Sequence, residues 1–253
     1  MRLSHTVRSV TAMAAVLTLA ACASPGPGAS FDERDPYRAT NEAIHDFNIE
    51  ADRYVLRPVS QAYDTVTPEI IQFLLTNAFN HLDTVNDFAN YLLQGDIEAA
   101  GTAFGRLTMN TVLGAGGLLD PATEFGLPKE DTDFGVTLGK YGVAEGAYLV
   151  LPLLGPSTTR DVGGAMGDIA LNPLTYTGFF NSNALDVFSP VYNGAEIVHD
   201  RARNADLIDD VLYNSENSYI SLRTIYLQRR DSLILGDQVE DTLPDIFDDE
   251  PVN

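Results

Sequence analysis

From residue 35 onward, apolar side chains recur at spacings of three and four, the period of an amphipathic helix, and proline, glycine and aspartate divide them into segments. Asp35-Pro36 reads as an N-cap followed by proline at the first helical position. Ile44, Phe47, Ala51, Tyr54 and Val55 form the stripe that follows, and Pro58 ends it. Thr67-Pro68 repeats the start signal. Ile71, Leu74, Leu75, Ala78, Leu82, Val85, Phe88 and Leu92 then share one stripe until Gln94-Gly95 supplies a stop, although a break near Asn80 also fits. Asp96 opens another helix, whose face carries Ala99, Ala100, Ala103 and Gly105, small residues that let two helices approach closely. Near the other end, Ile208, Leu212, Tyr219, Leu222, Tyr226 and Leu233 predict one long amphipathic helix with a polar opposite face suited to periplasmic solvent.

The middle of the chain breaks this period. Twelve of the 20 glycines lie between Gly114 and Gly167, and FGVTLGKYGVAEGAYLVLPLLGPSTTRDVGG mixes aromatic and aliphatic residues without sustained amphipathicity. Glycine discourages regular helix and strand alike, so irregular backbone is expected there. The longest uncharged apolar piece, Gly146 to Pro156, is too short to cross a bilayer, and no later segment reaches the roughly 18 residues a spanning helix needs. Alternating ten-residue strands do not recur as a membrane barrel requires. If this chain meets lipid, it does so from helices lying in one leaflet.

The amino terminus changes the picture. MRLSHTVRSV carries Arg2 and Arg8, an apolar run from Val10 to Leu19 follows, and Leu19-Ala20-Ala21-Cys22 is a small-residue cleavage site ahead of the single cysteine. Residues 1–21 are therefore expected to be a lipoprotein signal peptide, with Cys22 the lipidated first residue of the mature chain. A thiol without a disulfide partner then has its explanation. Two or three acyl chains, at about 0.8 kcal/mol per buried methylene, anchor firmly. Ala23, where an aspartate would favour retention at the inner membrane, points to the outer membrane. Residues 22–34 are rich in Pro, Gly and Ser and read as a flexible tether. Residues 35–235 are expected to form one helical domain, and 236–253, with seven acids and no base, a disordered acidic tail.

Charge narrows the partners. Without the signal, thirteen basic side chains stand against thirty-six acidic ones, a net charge of −23. Nucleic acid is excluded as a partner, since phosphate contacts need clustered Lys and Arg. Attraction of a basic face to anionic lipid is excluded for the same reason.

The stretch TVLGAGGLLDPATEFGLP, residues 111–128, fits a phosphate cradle, a packed hinge or a lipid-facing surface. No Gly-Lys-Ser or Gly-Lys-Thr closes a phosphate loop, and Gly114, Gly116 and Gly117 do not form GxGxxG. GxSxG and HExxH are absent, and His45, His81 and His199 lack metal-ligand spacing, so each is read as a surface or packing residue. No catalytic residue, metal or cofactor is expected, beyond a covalent N-acyl diacylglycerol on Cys22. A membrane phospholipase is disfavoured by these absences; a purely structural lipoprotein remains a rival.

The residues in succession resemble the MlaA family, also called VacJ lipoproteins. The likeness runs from the lipobox through Asp35-Pro36, Asn41, Phe47-Asn48, Arg57-Pro58-Val59 and Tyr91-Leu92-Leu93-Gln94-Gly95-Asp96. It continues with Asn110-Thr111-Val112-Leu113-Gly114-Ala115-Gly116-Gly117, Phe134-Gly135-Val136-Thr137-Leu138-Gly139, Tyr141-Gly142-Val143, Leu151-Pro152, Arg160-Asp161, Gly163-Gly164 and Tyr226-Leu227-Gln228-Arg229-Arg230. The resemblance implies a mainly α fold: a ring of amphipathic helices lying in the inner leaflet of the outer membrane, with a Gly-rich centre and a central amphipathic channel. It implies transport of phospholipids misplaced in the outer leaflet, delivery to a periplasmic carrier that feeds an inner-membrane transporter, and association with a trimeric porin. Leu113, Gly114, Gly116, Gly117 and Leu118, with Tyr141, Gly142 and Val143, are carried over as residues of the channel or its gate; close packing and turns are the alternative for the same residues.

Overall fold

The computed structural model describes residues 34–171 and 185–236, the side chains of 185–191 excepted. The expected signal peptide, Cys22, most of the tether and the tail beyond Gly236 lie outside the described residues. The chain is mainly helical, as its period predicts, with one two-stranded sheet among the described residues.

Helix α1 spans Arg38–Ala51, and Asp35 does not cap it: Tyr37 takes the flanking position without a side-chain hydrogen bond. Asp35 is buried instead, accepting from Asn41, Tyr219 and Arg223. Nor does Pro58 end the run. A π-helical turn, Asp52–Leu56, joins α1 to α2, Arg57–Val66, with the Arg57 amide donating to Asp52 O five residues back. The widened turn precedes the proline, which then occupies the first turn of α2, where its missing N–H costs nothing.

Helix α3, Glu69–Gln94, runs 26 residues without a break at Asn80, about 39 Å at 1.5 Å per residue. Pro68 rather than Thr67 flanks its start, while the Thr67 carbonyl accepts from Gln72. Gly95, at φ +73°, closes it in the left-handed region. Asp96 then accepts from the Ala99 amide and starts α4, Ile97–Val112. Ala100 and Ala103 pack on Tyr91 as expected for close helix approach, whereas Gly105 turns to Leu127.

The Gly-rich middle is more regular than its composition suggests. It holds α5, Pro121–Glu124; α6, Phe134–Lys140; the antiparallel pair β1, Tyr148–Leu151, and β2, Gly155–Thr158; and α7, Thr159–Leu171. Tertiary packing overrides propensity here. Gly164 of α7 lies against Gly135 of α6 so closely that a Cβ would come within 2.5 Å of the Gly135 nitrogen. Two amide side chains of α1 dock the sheet: Asn41 donates to Tyr148 O and accepts from the Val150 amide, each at 3.0 Å. Asn48, two turns on, does the same for Leu151 O and the Leu153 amide.

The carboxy-terminal part comprises α8, Leu185–Arg203; α9, Ala205–Asp209, continued by a π turn at Asp210–Asn214; and α10, Ser218–Leu235. The single long helix expected from Ile208 to Leu233 is therefore two. Asn217 stops it, because its side chain captures the Ile220 amide and caps α10. Nor is α10 a solvated helix: Tyr219, Arg223, Leu227 and Arg230 recur along it as a buried face, and Tyr219 and Leu227 form a core cluster with Tyr148 and Val150. The desolvation of its two buried arginines is offset by pairing with Asp35 and with Asp133 and Asp161.

Candidate functional site

Polarity is inverted in this fold. Among the described residues, twenty-one buried side chains are polar or charged and eleven apolar, while twenty-eight large apolar side chains are exposed. Scattered exposed apolar residues are ordinary, but a polar interior under so many of them is not. Helix α3 shows how the sequence produces it. Its apolar stripe is exposed at Ile71 and Leu92 and half-buried between, whereas Gln72, Asn77, Thr84, Asp87 and Asn90 are buried.

These polar groups reach several neighbouring elements. Gln72 bonds Thr67 O in the link from α2; Asn77 donates to Leu118 O; Asn86 and Asn90 both donate to Asp168 of α7; Gln94 donates to Thr132 and to Thr137 of α6. Thr76 of α3 and Tyr63 of α2 hold the two ring nitrogens of His199, each at 2.8 Å. Burial lowers the pKa of His199, and with both nitrogens engaged it is a packing residue, as the sequence suggested. His45 packs on Ser218 and Tyr219, and His81 meets Thr111 through Nε2 while its Nδ1 is buried without a hydrogen-bond partner.

Beside the middle of α3 lies a cavity of about 380 Å³. Phe79, Asn80, Asp83, Asn86 and Asp87 of α3 line it, with Lys129, Asp131 and Thr132 of the loop between α5 and α6, Glu196 and Asp200 of α8, and Arg229 of α10. Five carboxylates thus share it with two cations. Burial pushes Asp87 up to about 7, with Asp131 and Asp83 adding repulsion against the counter-charge of Lys129. Desolvation by its neighbours, with the charges of Asp131 and Asp200 working against that of Lys129, raises Asp83 to about 6, and Glu196 rises to about 7 through desolvation and the charges of Asp83 and Asp200. Burial works against the charge on Lys129, but the hydrogen bond to Asp131 and the charge of Asp87 prevail and raise its pKa. Among the described residues no group of three or more His, Cys, Asp or Glu side chains is arranged to hold a metal ion.

The residues singled out from the sequence fall in two places. Leu113 to Leu118 form a tight loop after α4, with Gly116 N–H donating to Thr111 O, Gly117 N–H to Asn110 O and Asn77 Nδ2 to Leu118 O. Ala115, Gly116 and Gly117 all have positive φ. A side chain at Gly114 would meet Asn110 O at 2.5 Å, and one at Gly117 would land in the His81 ring. Arg106 holds the segment that follows the loop, donating to Asp120, Thr123 and Leu127 O. Tyr141 to Val143 instead close the end of α6, where the exposed Tyr141 donates to Leu93 O at 2.5 Å and Gly142 takes φ +83°. The anchor points on α3, Asn77 and His81 against Leu93, are separated by about 18–24 Å of helix. The structure does not bring the two groups together, and the cavity lining contains neither. Leu113, Leu118, Tyr141 and Val143 are all exposed.

The cavity carboxylates escaped the sequence reading because any chosen acid among thirty-six is weak evidence. One signal was present: α3 holds no Lys or Arg in 26 residues, and its polar stripe consists of Asn, Gln, Thr and Asp rather than the Lys and Glu of a solvated face. Glu145 and Lys140, which the sequence left without explanation, also have partners, Arg34 and Gln94.

Fold and cavity together define a class: a mainly α protein that turns polar side chains inward and aliphatic ones outward, without a described helix long and apolar enough to cross a membrane. Comparison with known proteins agrees. Residues 33–233 match the model of the MlaA lipoprotein family. The chain is 32% identical over 228 residues to the intermembrane phospholipid transport system lipoprotein MlaA of Escherichia coli K12, covering 88% of this chain and 86% of that one. An uncharacterized protein of Rickettsia felis is 33% identical over 201 residues, 79% of this chain and 78% of the relative. A solved chain, from work on the structural basis for maintenance of bacterial outer membrane lipid asymmetry, superposes with a TM-score of 0.67 at 35% identity, covering 79% of this chain and 98% of the other. The chain belongs to the MlaA lipoprotein family.

Proposed function

We propose that this protein is the outer-membrane lipoprotein of an intermembrane phospholipid transport system, removing misplaced phospholipids from the outer leaflet and passing them to a periplasmic carrier. The observation that carries the reading is the inverted polarity: a phospholipid in transit needs a polar path for its headgroup beside apolar surface for its tails. Backbone and side-chain polar groups are tolerated at membrane depth only where they are buried in protein or line a wet cavity. Burying the polar face of α3 while exposing Val55, Val59, Val66, Ile70 and Phe73 meets that condition. Acylation at Cys22 would hold the body at the membrane, and a trimeric porin is the expected neighbour. The protein is read as a conduit without catalytic activity.

In this reading Leu113, Gly114, Gly116, Gly117 and Leu118, with Tyr141, Gly142 and Val143, border the lipid path at two levels, and the glycine loop acts as its gate. The exposure of the aliphatic members supports a lipid-facing role, and the open space and positive φ at Gly116 support a backbone free enough to act as a gate.

The test is a deletion strain complemented with the full chain. Transport predicts phospholipid accumulation in the outer leaflet and greater detergent sensitivity in the deletion, both reversed on complementation. Unchanged outer-leaflet phospholipid would assign the protein to porin bracing instead, and release of fatty acid or lysolipid by the purified protein would revive the phospholipase reading.

A further inference from the structure

We propose that the acidic cavity between α3 and α8 receives the primary ammonium of an ethanolamine headgroup, so that the conduit favours aminated over purely anionic phospholipid. This rests on the transport reading above and names its preferred substrate. Asp83 and Glu196, with Asp200, supply carboxylates from two helices around one space of about 380 Å³. Asp83 and Asp200 keep exposed positions through which a ligand gains access.

A second observation is independent of that cluster. Asp87 is 4% exposed and lines the same cavity; its Oδ1 accepts from the Thr132 amide at 3.0 Å, but its Oδ2 accepts no hydrogen bond. The nearest cation, Lys129 Nζ, stands 3.7 Å away and is engaged with Asp131. A buried carboxylate oxygen without a donor is costly, and native proteins rarely leave one. A ligand bringing several N–H donors satisfies it, and a primary ammonium brings three.

The remaining chemistry excludes competitors. The described carboxylates are not gathered as metal ligands. His199 has both ring nitrogens engaged. On the same lining, the largely exposed Arg229 provides a cationic group for the headgroup phosphate. A glycerol headgroup offers that phosphate but no positive charge to five carboxylates, so its negative charge is opposed.

The full-length acylated protein, purified in detergent, is incubated with micelles holding equal phosphatidylethanolamine and phosphatidylglycerol of identical acyl chains, and the retained lipid is counted by mass spectrometry. About ten-fold enrichment of phosphatidylethanolamine is expected, the discrimination of one well-placed charged contact. Asp200→Asn, at an exposed position, is expected to reduce the enrichment, and D83N/E196Q/D200N to abolish it while total retained lipid persists. Phosphatidylcholine, whose quaternary head has no N–H, tests the wild-type chain without any substitution and is expected to be retained less than phosphatidylethanolamine. Equal retention of all three lipids, or a preference unmoved in the triple variant, overturns the proposal and leaves transport standing. Retention of no lipid overturns both. Stoichiometric binding of Mg²⁺ by the lipid-free chain, with no headgroup preference, reassigns the carboxylates and also overturns it.

Discussion

Arg223 NH1 donates to Asp35 Oδ2 at 2.8 Å, a buried ion pair that ties the segment ahead of α1 to the middle of α10 across 188 residues. Tyr219 and Asn41 complete the carboxylate's shell. Asn41 also docks β1, so one aspartate organises α1, the sheet and α10 together. Removing one partner of such a pair leaves a buried charge uncompensated. Asp35→Ala is expected to destabilise the fold by about 3–5 kcal/mol, lowering the melting temperature by roughly 6–20 °C at this chain length. Circular dichroism in detergent measures it; the D35L/R223M double variant, which replaces the pair by apolar groups, is expected to melt above Asp35→Ala.

The glycine loop yields a ranked prediction. Gly116 has open space and a positive φ, so Gly116→Ala meets only backbone strain, about 1–2 kcal/mol. Gly114→Val forces atoms into the Asn110 and Leu119 carbonyls, and Gly117→Val adds a clash with His81 to its positive φ. Melting temperatures are therefore expected in the order wild type, Gly116→Ala, then Gly114→Val and Gly117→Val. The two valine variants are expected to accumulate outer-leaflet phospholipid while remaining membrane-bound; normal lipid asymmetry in both would remove the gate from this loop.

Acidic groups give stability two opposing pH dependences. Asp87 titrates at about 7 in the folded chain, against about 3.9 unfolded, so the folded state binds the extra proton between these values. Its contribution to stability declines as pH rises through that window and is not regained above it. Asp87→Asn cannot ionise, so its melting temperature is expected to fall less between about pH 5 and about pH 8 than that of the wild type. Asp133 behaves oppositely: burial opposes its charge, but the hydrogen bond and charge of Arg230, with the amides of Val136 and Gly135, hold its pKa below the usual carboxylate range. Its stabilisation is present above the unfolded carboxylate pKa and disappears as pH falls through the lower folded value, so Asp133→Asn is expected to flatten the acid limb of the stability curve.

The exposed apolar surface predicts lipid binding without the acyl anchor. Leu153 and Leu154 project from the hairpin turn, 70% and 73% exposed, and burying each in lipid contributes about 1.5–3 kcal/mol. A Cys22→Ala form made without its signal is expected to float with phospholipid vesicles on a density gradient, and L153D/L154D in that background to float less. A Cys22→Ala form that stays wholly in the aqueous fraction as a monomer would contradict the leaflet placement.

The period of apolar residues was enough to find α1, α3 and α4 and the small-residue contact of Ala100 and Ala103, because those features depend on neighbours within a turn or two. Gly95 and Asp96 were legible for the same reason: a left-handed stop and a side-chain cap are local devices. Local signals failed where a distant group competed for the same atoms. Asp35 resembles a cap, but Arg223 and Tyr219 claim its oxygens from the far end of the chain. Pro58 resembles a terminator, but a π turn upstream makes room for it. Asn217 divides a pattern that looked continuous because its side chain takes a backbone amide.

The candidate site divides along the same line. By itself the sequence determined a helical, acidic chain with a lipobox and the motif order of its family, properties fixed by residue identity and spacing. Only the tertiary structure decided which face of each helix turns inward. Amphipathic periodicity is symmetric with respect to inside and outside: the stripe of Ile71 and Leu92 and the stripe of Asn77 and Asp87 carry the same period. It took the partners of the polar groups of α3 on α6, α7 and α8, drawn from positions up to 123 residues away, to settle that the polar stripe is the buried one.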